Sequence, residues 1–359
     1  MTLLHVVLPD GVDDPGRPSG GNAYDRRICD GLTASGWDVR ETVAKGRWPR
    51  ADADALRDLG SSLAAVPDDG LVLLDGLVAS AAAPVLIPES GRLRLVVLVH
   101  MPLGGIEVPA EDEAAVLAHA RAVVTTSGWT RGLLLGRHPL DPARVHVAPP
   151  GAEPGTPVAG SPDGGRLLCV AALAPHKGQD VLVEALAGLA GLAWGCTLVG
   201  SVDREPAYVQ RLRRRVAEQG LGERIAVSGP RVGDELRRAY AAADLLVLPS
   251  RLEAYGIVVA EALAVGLPVV ASAVGGIPEA LGTTAIGAPG LLVPPDDALA
   301  LRSALSSWLL DADLRRRLRR AALVRRSELS DWNATTGSLA SALRTVEAEP
   351  ASARTRVPH

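Results

Sequence analysis

Residues 253–262 read EAYGIVVAEA and lie between two apolar runs, ADLLVLPSR (243–251) and GLPVVASAVGG (266–276). Glu253 and Glu261 bracket Tyr255, Gly256, Ile257 and Val258, where an apolar helical pattern begins. Such a pair is an acid/base couple, a clamp on one ligand, or two solvent-facing charges. The pattern puts Glu253 on a loop and Glu261 about a turn and a half inside a helix, so they do not share a helical face. A carboxylate accepts two hydroxyl hydrogens, which suits the vicinal diols of a hexose or a ribose. The helix start between them offers free N–H groups, which suit a phosphate. Diol, phosphate, diol is the order of groups in a nucleotide sugar.

Other stretches have chemical potential of their own. In AALAPHKGQDVLVEAL (171–186) a strand ends and Lys177-Gly178 stand just before a helix. That arrangement is an anion site built from an ammonium and a helix N-terminus, or a solvent lysine beside a turn glycine. Lys45 and Lys177 are the only lysines among 37 basic residues, and arginine replaces a compact ammonium poorly. RPSGGNAY (17–24) follows the first apolar run, and Gly20 and Gly21 would let the backbone approach a phosphate. It is not a G-x-G-x-x-G fingerprint, which disfavours a nicotinamide enzyme. His100 ends LRLVVLVH (93–100) ahead of MPLGG, which reads as a mobile loop, and Asp75 ends LVLLDG (71–76). The remaining histidines show no H-x-x-x-H or H-E-x-x-H spacing, so no metal is expected. Asp52/Asp54 and Asp311/Asp313 could hold a divalent ion, but their Ala- and Leu-rich helix-start contexts read as caps.

The elements that must position these residues are short continuous apolar runs. They fall at 3–9, 71–76, 93–100, 122–127, 144–151, 166–173, 194–200, 224–229, 245–250, 268–274 and 291–295. Continuous rather than alternating runs mark strands buried on both faces of a parallel sheet. Amphipathic patterns between them predict helices at 23–36, 110–120, 179–191, 207–221 and 233–243. The alternation implies right-handed βαβ units and doubly wound α/β domains, with ligands at the carboxyl ends of the strands. The Pro/Gly/Ser-rich stretch 149–166 reads as an interdomain linker, which makes a cleft between two domains the expected ligand site. The arginine-rich stretch 311–326 reads as the solvated face of a helix buried through Leu314, Leu318, Ala321 and Ala322.

Composition bounds the rest. With 359 residues the chain fits two domains, and 47% hydrophobic with 22% charged residues describes a soluble globular protein. A net charge of −4 and 3% aromatics, with no Phe, give no case for nucleic-acid binding. Three scattered cysteines fit neither a disulfide framework nor a zinc site. MTLLHVVLPDG reads as a first strand rather than a signal peptide, and no apolar run approaches a membrane span, so a cytoplasmic location is expected.

PSRLEAYGIVVAEALAVGLPVVASAVGGIPE resembles the E-x7-E region of the retaining GT-B glycosyltransferases of family 4. SGGNAY, TTSGWTRGLLL, VAPPGAE, VAALAPHKGQDVLVEAL, SGPRVGDELRRAYAAADLLVLPS and GLLVPPDD line up in the same order, densest over 165–295. The resemblance implies a GT-B fold of two Rossmann-like domains facing a cleft. Residues 1–155 would form an acceptor-binding domain, 156–165 a linker and 166–328 the nucleotide-sugar domain. A helix at 329–347 would return to the first domain, followed by a disordered tail at 348–359. It further implies that Glu261 binds the ribose and Glu253 the transferred sugar. Backbone at Tyr255, Gly256, Ile257 and Val258 would hold sugar and diphosphate, and Lys177 would neutralise the diphosphate opposite Gly20 and Gly21. Arg231 and Val232 would meet the base, and His100 would lie near the sugar. Asn22, Tyr24, Asp75, Met101 and Trp129 would shape the acceptor site.

The expected activity is that of a metal-independent, cofactor-independent hexosyltransferase. It would move a hexose from a UDP- or GDP-sugar to a small soluble acceptor, favoured over a lipid. The alternatives are a GT-B phosphorylase, a sugar-nucleotide epimerase or hydrolase, and a non-catalytic nucleotide-sugar-binding protein. One departure stands out: the family often carries an arginine in G-R-L before the lysine, where this chain has Ala171-Ala172-Leu173. Arg26 and Arg131 are candidate replacements.

Overall fold

The computed structural model describes residues 2–349. The tail expected at 348–359 therefore lies, from 350 on, outside the described residues. Two compact units emerge: of the described residues, 2–12, 21–150 and 332–349 form one, and Asp13–Gly20 with Gly151–Asp331 form the other.

The first unit contains β1 (Leu3–Pro9), α1 (Gly20–Ala34), β2 (Asp38–Ala44), α2 (Ala53–Ala64), β3 (Leu71–Asp75), α3 (Gly76–Ala79) and α4 (Ala83–Glu89). It continues through β4 (Arg94–Val99), α5 (Ala110–His119), β5 (Ala122–Thr125), α6 (Gly128–Arg137) and β6 (Val145–Val147). All strand pairs are parallel, in the order β2-β1-β3-β4-β5-β6. Side chains alternate across the sheet. Val72, Leu74, Leu95, Val97 and Val99 enter one core; Leu71, Leu73, Val96 and Leu98 enter the other. Both faces are covered, which is why these strands read as unbroken apolar runs.

The second unit runs through β7 (Arg166–Val170), α7 (Gln179–Ala187), β8 (Gly195–Val199), α8 (Pro206–Glu218), β9 (Ile225–Gly229), α9 (Gly233–Ala242) and β10 (Leu245–Leu248). Then follow α10 (Ile257–Ala264), β11 (Val269–Ser272), α11 (Ile277–Leu281), β12 (Gly290–Val293), α12 (Ala298–Leu310) and α13 (Ala312–Arg326). Its parallel order is β12-β11-β10-β7-β8-β9, the Rossmann arrangement, whereas the first unit has the flavodoxin-type order at its β1/β3 edge. Residues 151–165, without regular structure, are bound into this unit. Asp244 accepts from the Ser161 N–H at 2.5 Å, from its hydroxyl at 2.6 Å and from Arg166. Burial raises the Asp244 pKa, but the hydrogen bonds from Arg166 and Ser161 outweigh it and hold the carboxyl down to about 2.

The chain then returns as α14 (Trp332–Ala348), which packs Leu339, Leu343 and Val346 into a core of the first unit. Every run read as a strand carries one. The twelfth strand, β2, was not anticipated: it is an edge strand with exposed side chains, so DVRETVA lacks the apolar signature. Both Asp-x-Asp strings are helix starts, with Asp52 and Asp311 as N-caps of α2 and α13. The arginine-rich helix α13 buries Leu318, Ala321 and Ala322 as expected but leaves Leu314 half-buried. It also buries Arg315, whose guanidinium donates to the carbonyls of Trp308, Leu309 and Pro162. Among the described residues, no helix is long and apolar enough to cross a membrane.

Candidate functional site

Doubly wound sheets place ligands beyond the carboxyl ends of the strands, where the strand order reverses. In the second unit the order runs outward from β7 to β9, then resumes at β10 on the other side, so the switch lies between β7 and β10. Lys177 follows β7 and Glu253 follows β10. The Lys177 ammonium donates to Glu253 Oε1 at 2.6 Å, and Ser250 Oγ donates to the same oxygen at 3.1 Å.

Both loops are fixed by backbone constraints. Gly178 is left-handed (φ 68°), and a Cβ there would lie 2.0 Å from the Pro249 carbonyl oxygen, so only glycine lets the two loops meet. Arg251 spans them: its N–H donates to the His176 carbonyl, and its guanidinium binds Asp180 twice and the Pro175 carbonyl. Glu253 is clasped from behind by the SAVGG turn, where Gly276 N–H donates to the Glu253 carbonyl at 3.2 Å. A Cβ at Gly275 would fall 1.6 Å from that oxygen. Neither Arg251 nor this turn was singled out from sequence; in so arginine-rich a chain Arg251 carries no distinguishing signal.

Gly256 is also left-handed (φ 88°) and turns the chain into α10 without a side-chain cap. The N–H groups of Gly256, Ile257 and Val258 precede the first intrahelical bond, from Val259 N–H to the Gly256 carbonyl. Tyr255, Ile257 and Val258 are all half-buried there. Glu261 lies one turn in and accepts from the Tyr240 hydroxyl at 2.7 Å. Burial, then the Glu261 charge, raise the Tyr240 phenol well above its usual value, so it stays a donor. Arg231 and Val232 lie in the β9–α9 loop, with Val232 45% exposed at the N-cap. The second unit thus brings Lys177, Glu253, Tyr255–Val258 and Glu261 to the carboxyl edge of its sheet. Ala172 has no charge of its own, and its carbonyl accepts from Gln179 Nε2. Arg26 is paired with Glu41, and Arg131 donates to the carbonyls of Val145 and Pro142, so both are engaged within the first unit.

In the first unit the switch lies between β1 and β3. His100, just past β4, sits there with Asp75, the last residue of β3, and with Asp25 of α1. His100 Nε2 is 2.8 Å from Asp25 Oδ1 and 3.4 Å from Asp75 Oδ2. Gly21 backs onto the ring, where a Cβ would meet His100 Cδ2 at 3.3 Å. Asp25 was not anticipated: between Tyr24 and Arg26-Arg27 it reads as part of a charged face. Its spacing to Ile28, Cys29 and Leu32 (i, i+3, i+4, i+7) nonetheless puts it on the buried stripe of α1.

Three expectations change here. Tyr24, expected to shape an acceptor site, is 1% exposed; its hydroxyl donates to the Ala148 carbonyl and its ring packs edge-on against His100 and Trp332. Asp75 is buried too, capping α3 through Leu77 N–H. Loop 101–105 is anchored rather than mobile, because buried Glu113 accepts from the N–H groups of Leu103 and Gly104 at 2.7 and 3.0 Å. Asn22 donates to the Gly11 carbonyl, while Met101 and Trp129 are half-buried and Gly20 is exposed at the start of α1.

Asp25, Asp75 and His100 each offer one ligand atom within 4.8 Å of the others. Hydrogen bonding and charge balance explain the grouping without an ion. Burial lowers the His100 pKa, but the charge of Asp25 and the hydrogen bonds to Asp25 and Asp75 outweigh it and raise it to about 10. Burial raises Asp75 too, yet hydrogen bonding to His100 leaves it below the usual range. Asp25 is pushed up to about 7 by burial, against the pull of the His100 charge.

Residues 159–325 match the family model described as Glycosyl transferases group 1. A D-inositol 3-phosphate glycosyltransferase from Stackebrandtia nassauensis is 35% identical over 59% of this chain and 51% of its own length. The protein of that name from Acidothermus cellulolyticus is 34% identical over 68% of this chain and 57% of its own. The chain thus spans little more than half the length of these relatives. Among solved structures, sucrose-phosphate synthase from Thermosynechococcus elongatus superposes with TM-score 0.79 at 24% identity, over 97% of this chain and 100% of that one. HepE from Anabaena, in complex with UDP-glucose, superposes with TM-score 0.78 at 18% identity, over 96% and 100%. The fold is GT-B. The Lys177–Glu253 switch point lies within residues 159–325, the stretch that matches the glycosyl transferases group 1 model.

Proposed function

We propose that this protein is a glycosyltransferase that moves a hexose from a nucleotide-diphosphate sugar to a hydroxyl of a small polar acceptor, with retention and without a metal. The observation that carries this reading is the cluster at the β7/β10 switch point. One lysine, one carboxylate on a loop, an uncapped helix start and a second carboxylate one turn further in follow the order phosphate, sugar, phosphate, ribose. Lys177 and the first N–H groups of α10 take the diphosphate, Glu261 the ribose hydroxyls, and Glu253 the hydroxyls of the transferred sugar. Arg231 and Val232 border the base.

The Lys177–Glu253 pair is balanced, so a diphosphate can take the ammonium while a sugar diol takes the carboxylate. Neither charge is then left bare. The acceptor hydroxyl attacks on the face from which the diphosphate departs, and a β-phosphate oxygen takes its proton. No protein nucleophile is needed, and stabilisation of the leaving diphosphate is the protein's main contribution. With alanine at 172, Lys177 is the side-chain cation closest in sequence to that role. The first unit contributes His100, assigned to substrate oxygens at its own switch point.

The names of the relatives support a cyclitol phosphate as acceptor, and the nucleotide sugar in the HepE complex supports a UDP-sugar as donor. The test is to incubate purified protein with UDP- and GDP-hexoses and D-inositol 3-phosphate, with and without EDTA, and read the anomeric coupling of the product by NMR. An EDTA-insensitive product with the donor's anomeric configuration is expected. Phosphate-dependent turnover, or turnover without an acceptor, would instead indicate a phosphorylase or a hydrolase.

A further inference from the structure

We propose that Asp25 is a positioning residue: together with Asp75 it holds His100 as an imidazolium whose Nδ1–H is a fixed hydrogen-bond donor to a substrate oxygen. The inference rests on the first unit's being a substrate-binding unit, and it defines what His100 does there. A histidine at such a site is either a base or a cationic donor, and the two differ by one proton.

The geometry decides between them. Nε2 faces both carboxylates, at 2.8 and 3.4 Å, and cannot be the exposed nitrogen. The His100 side chain remains 20% exposed, and Nδ1 has no partner among the described residues. A single buried carboxylate behind Nε2 would orient the ring and leave Nδ1 free to act as a base. Two carboxylates in a buried site are a different case, because their combined charge favours the doubly protonated ring. The second carboxylate must itself be accommodated. Asp25 Oδ2 is buried and has no hydrogen-bond partner among the described residues, and Asp25 offers a carboxylate oxygen within 4.8 Å of one from Asp75. A proton on that oxygen donates toward Asp75 and satisfies it. Up to about pH 7, Asp25 as a carboxylic acid, Asp75 as a carboxylate and His100 as an imidazolium leave the buried cluster neutral, which is the state burial favours. Above it, ionised Asp25 adds its charge to that of Asp75 and keeps the ring doubly protonated.

The surroundings agree. The groups facing the ring are Asp25 and Tyr24 from α1 and Asp75 from the end of β3. Tyr24 is buried and neutral, with its phenol well above its usual range, first through burial and then through the Asp25 charge. Among the described residues, Asp25 and Asp75 are the charges that act on His100, and no cation is among them. Gly21 and the edge-on Tyr24 ring fix the plane of the imidazole, so the Nδ1–H direction is set before substrate arrives.

The test is a pH titration of the imidazole nitrogens of 15N-labelled protein, with His100 assigned by its loss in His100→Gln. The wild-type ring should be doubly protonated from pH 6 to 8.5. In Asp25→Asn its midpoint should fall by about one unit or more. Asp75→Asn, read in the same way, should move it in the same direction and covers the case in which Asp25→Asn does not fold. With a nucleotide sugar and acceptor, Asp25→Asn should lose more kcat at pH 8.5 than at pH 6, whereas a purely structural role would lower both alike. A wild-type ring titrating near its ordinary value, or a midpoint unmoved in both variants, overturns the proposal. The nitrogen titration needs no turnover, so an absence of sugar transfer would count against the proposed function and not against this assignment.

Discussion

The two switch points handle charge in opposite ways. In the second unit one ammonium meets one carboxylate, at an edge where the side chains remain 17% and 12% exposed. In the first, two carboxylates 1% and 4% exposed share one imidazole. A balanced pair at an accessible edge is exchangeable, since each partner can be handed to a ligand of opposite character. A buried excess of carboxylate is not exchangeable; it fixes the protonation of what it surrounds. One site is built to let go of its internal contacts, the other to keep them.

The largest expected effect tests the exchangeable pair. Lys177→Ala should lower kcat by about 100- to 1,000-fold, the usual loss for one leaving-group-stabilising donor, with a smaller change in donor affinity. Unchanged kcat would remove Lys177 from the reaction. The fixed cluster should respond in stability instead. His100→Gln leaves buried Asp75 without its counter-charge and should cost about 3–5 kcal/mol in denaturant unfolding near pH 6.5. Lys177→Ala should cost less than half of that, because Glu253 keeps the Ser250 hydrogen bond. Equal costs would erase the contrast between the two regions.

The same contrast has a pH signature. A folded pKa of about 10 for His100 stabilises the chain fully below the unfolded value near 6.5, and that contribution fades as pH rises toward 10. Asp25, raised to about 7, likewise favours folding less as pH rises from 4 to 7. Melting temperature should therefore fall on the alkaline side of neutrality, and His100→Gln should flatten that slope. The smallest effect expected is backbone strain: Gly256→Ala forces a Cβ into a left-handed residue and should cost about 1–2 kcal/mol.

Much of this was legible in the sequence, for identifiable reasons. Strands buried on both faces announce themselves as apolar runs, so the sheets and the loops after them could be placed, and Lys177, Glu253, Glu261 and His100 with them. What stayed hidden depends on three-dimensional closure. Edge strand β2 carries exposed side chains and therefore no such run. Asp25 and Glu113 are charges on the buried stripes of α1 and α5, which only the packing of the helix distinguishes from solvated charges. Arg251 acts by joining its own loop to Asp180 at the start of α7, 71 residues away in the chain. The burial of Tyr24 and Asp75 likewise follows from what α1 and β3 pack against.

The central claim is that the second unit's switch point holds a nucleotide-diphosphate sugar, and calorimetric titration of UDP- and GDP-sugars tests it most directly. Wild-type protein should bind at least one of them one-to-one, and Glu261→Ala should weaken that binding about tenfold or more, about 1.4 kcal/mol, through loss of the ribose contact. A wild-type protein that binds none of them, or a Glu261→Ala variant with unaltered affinity, would contradict the account.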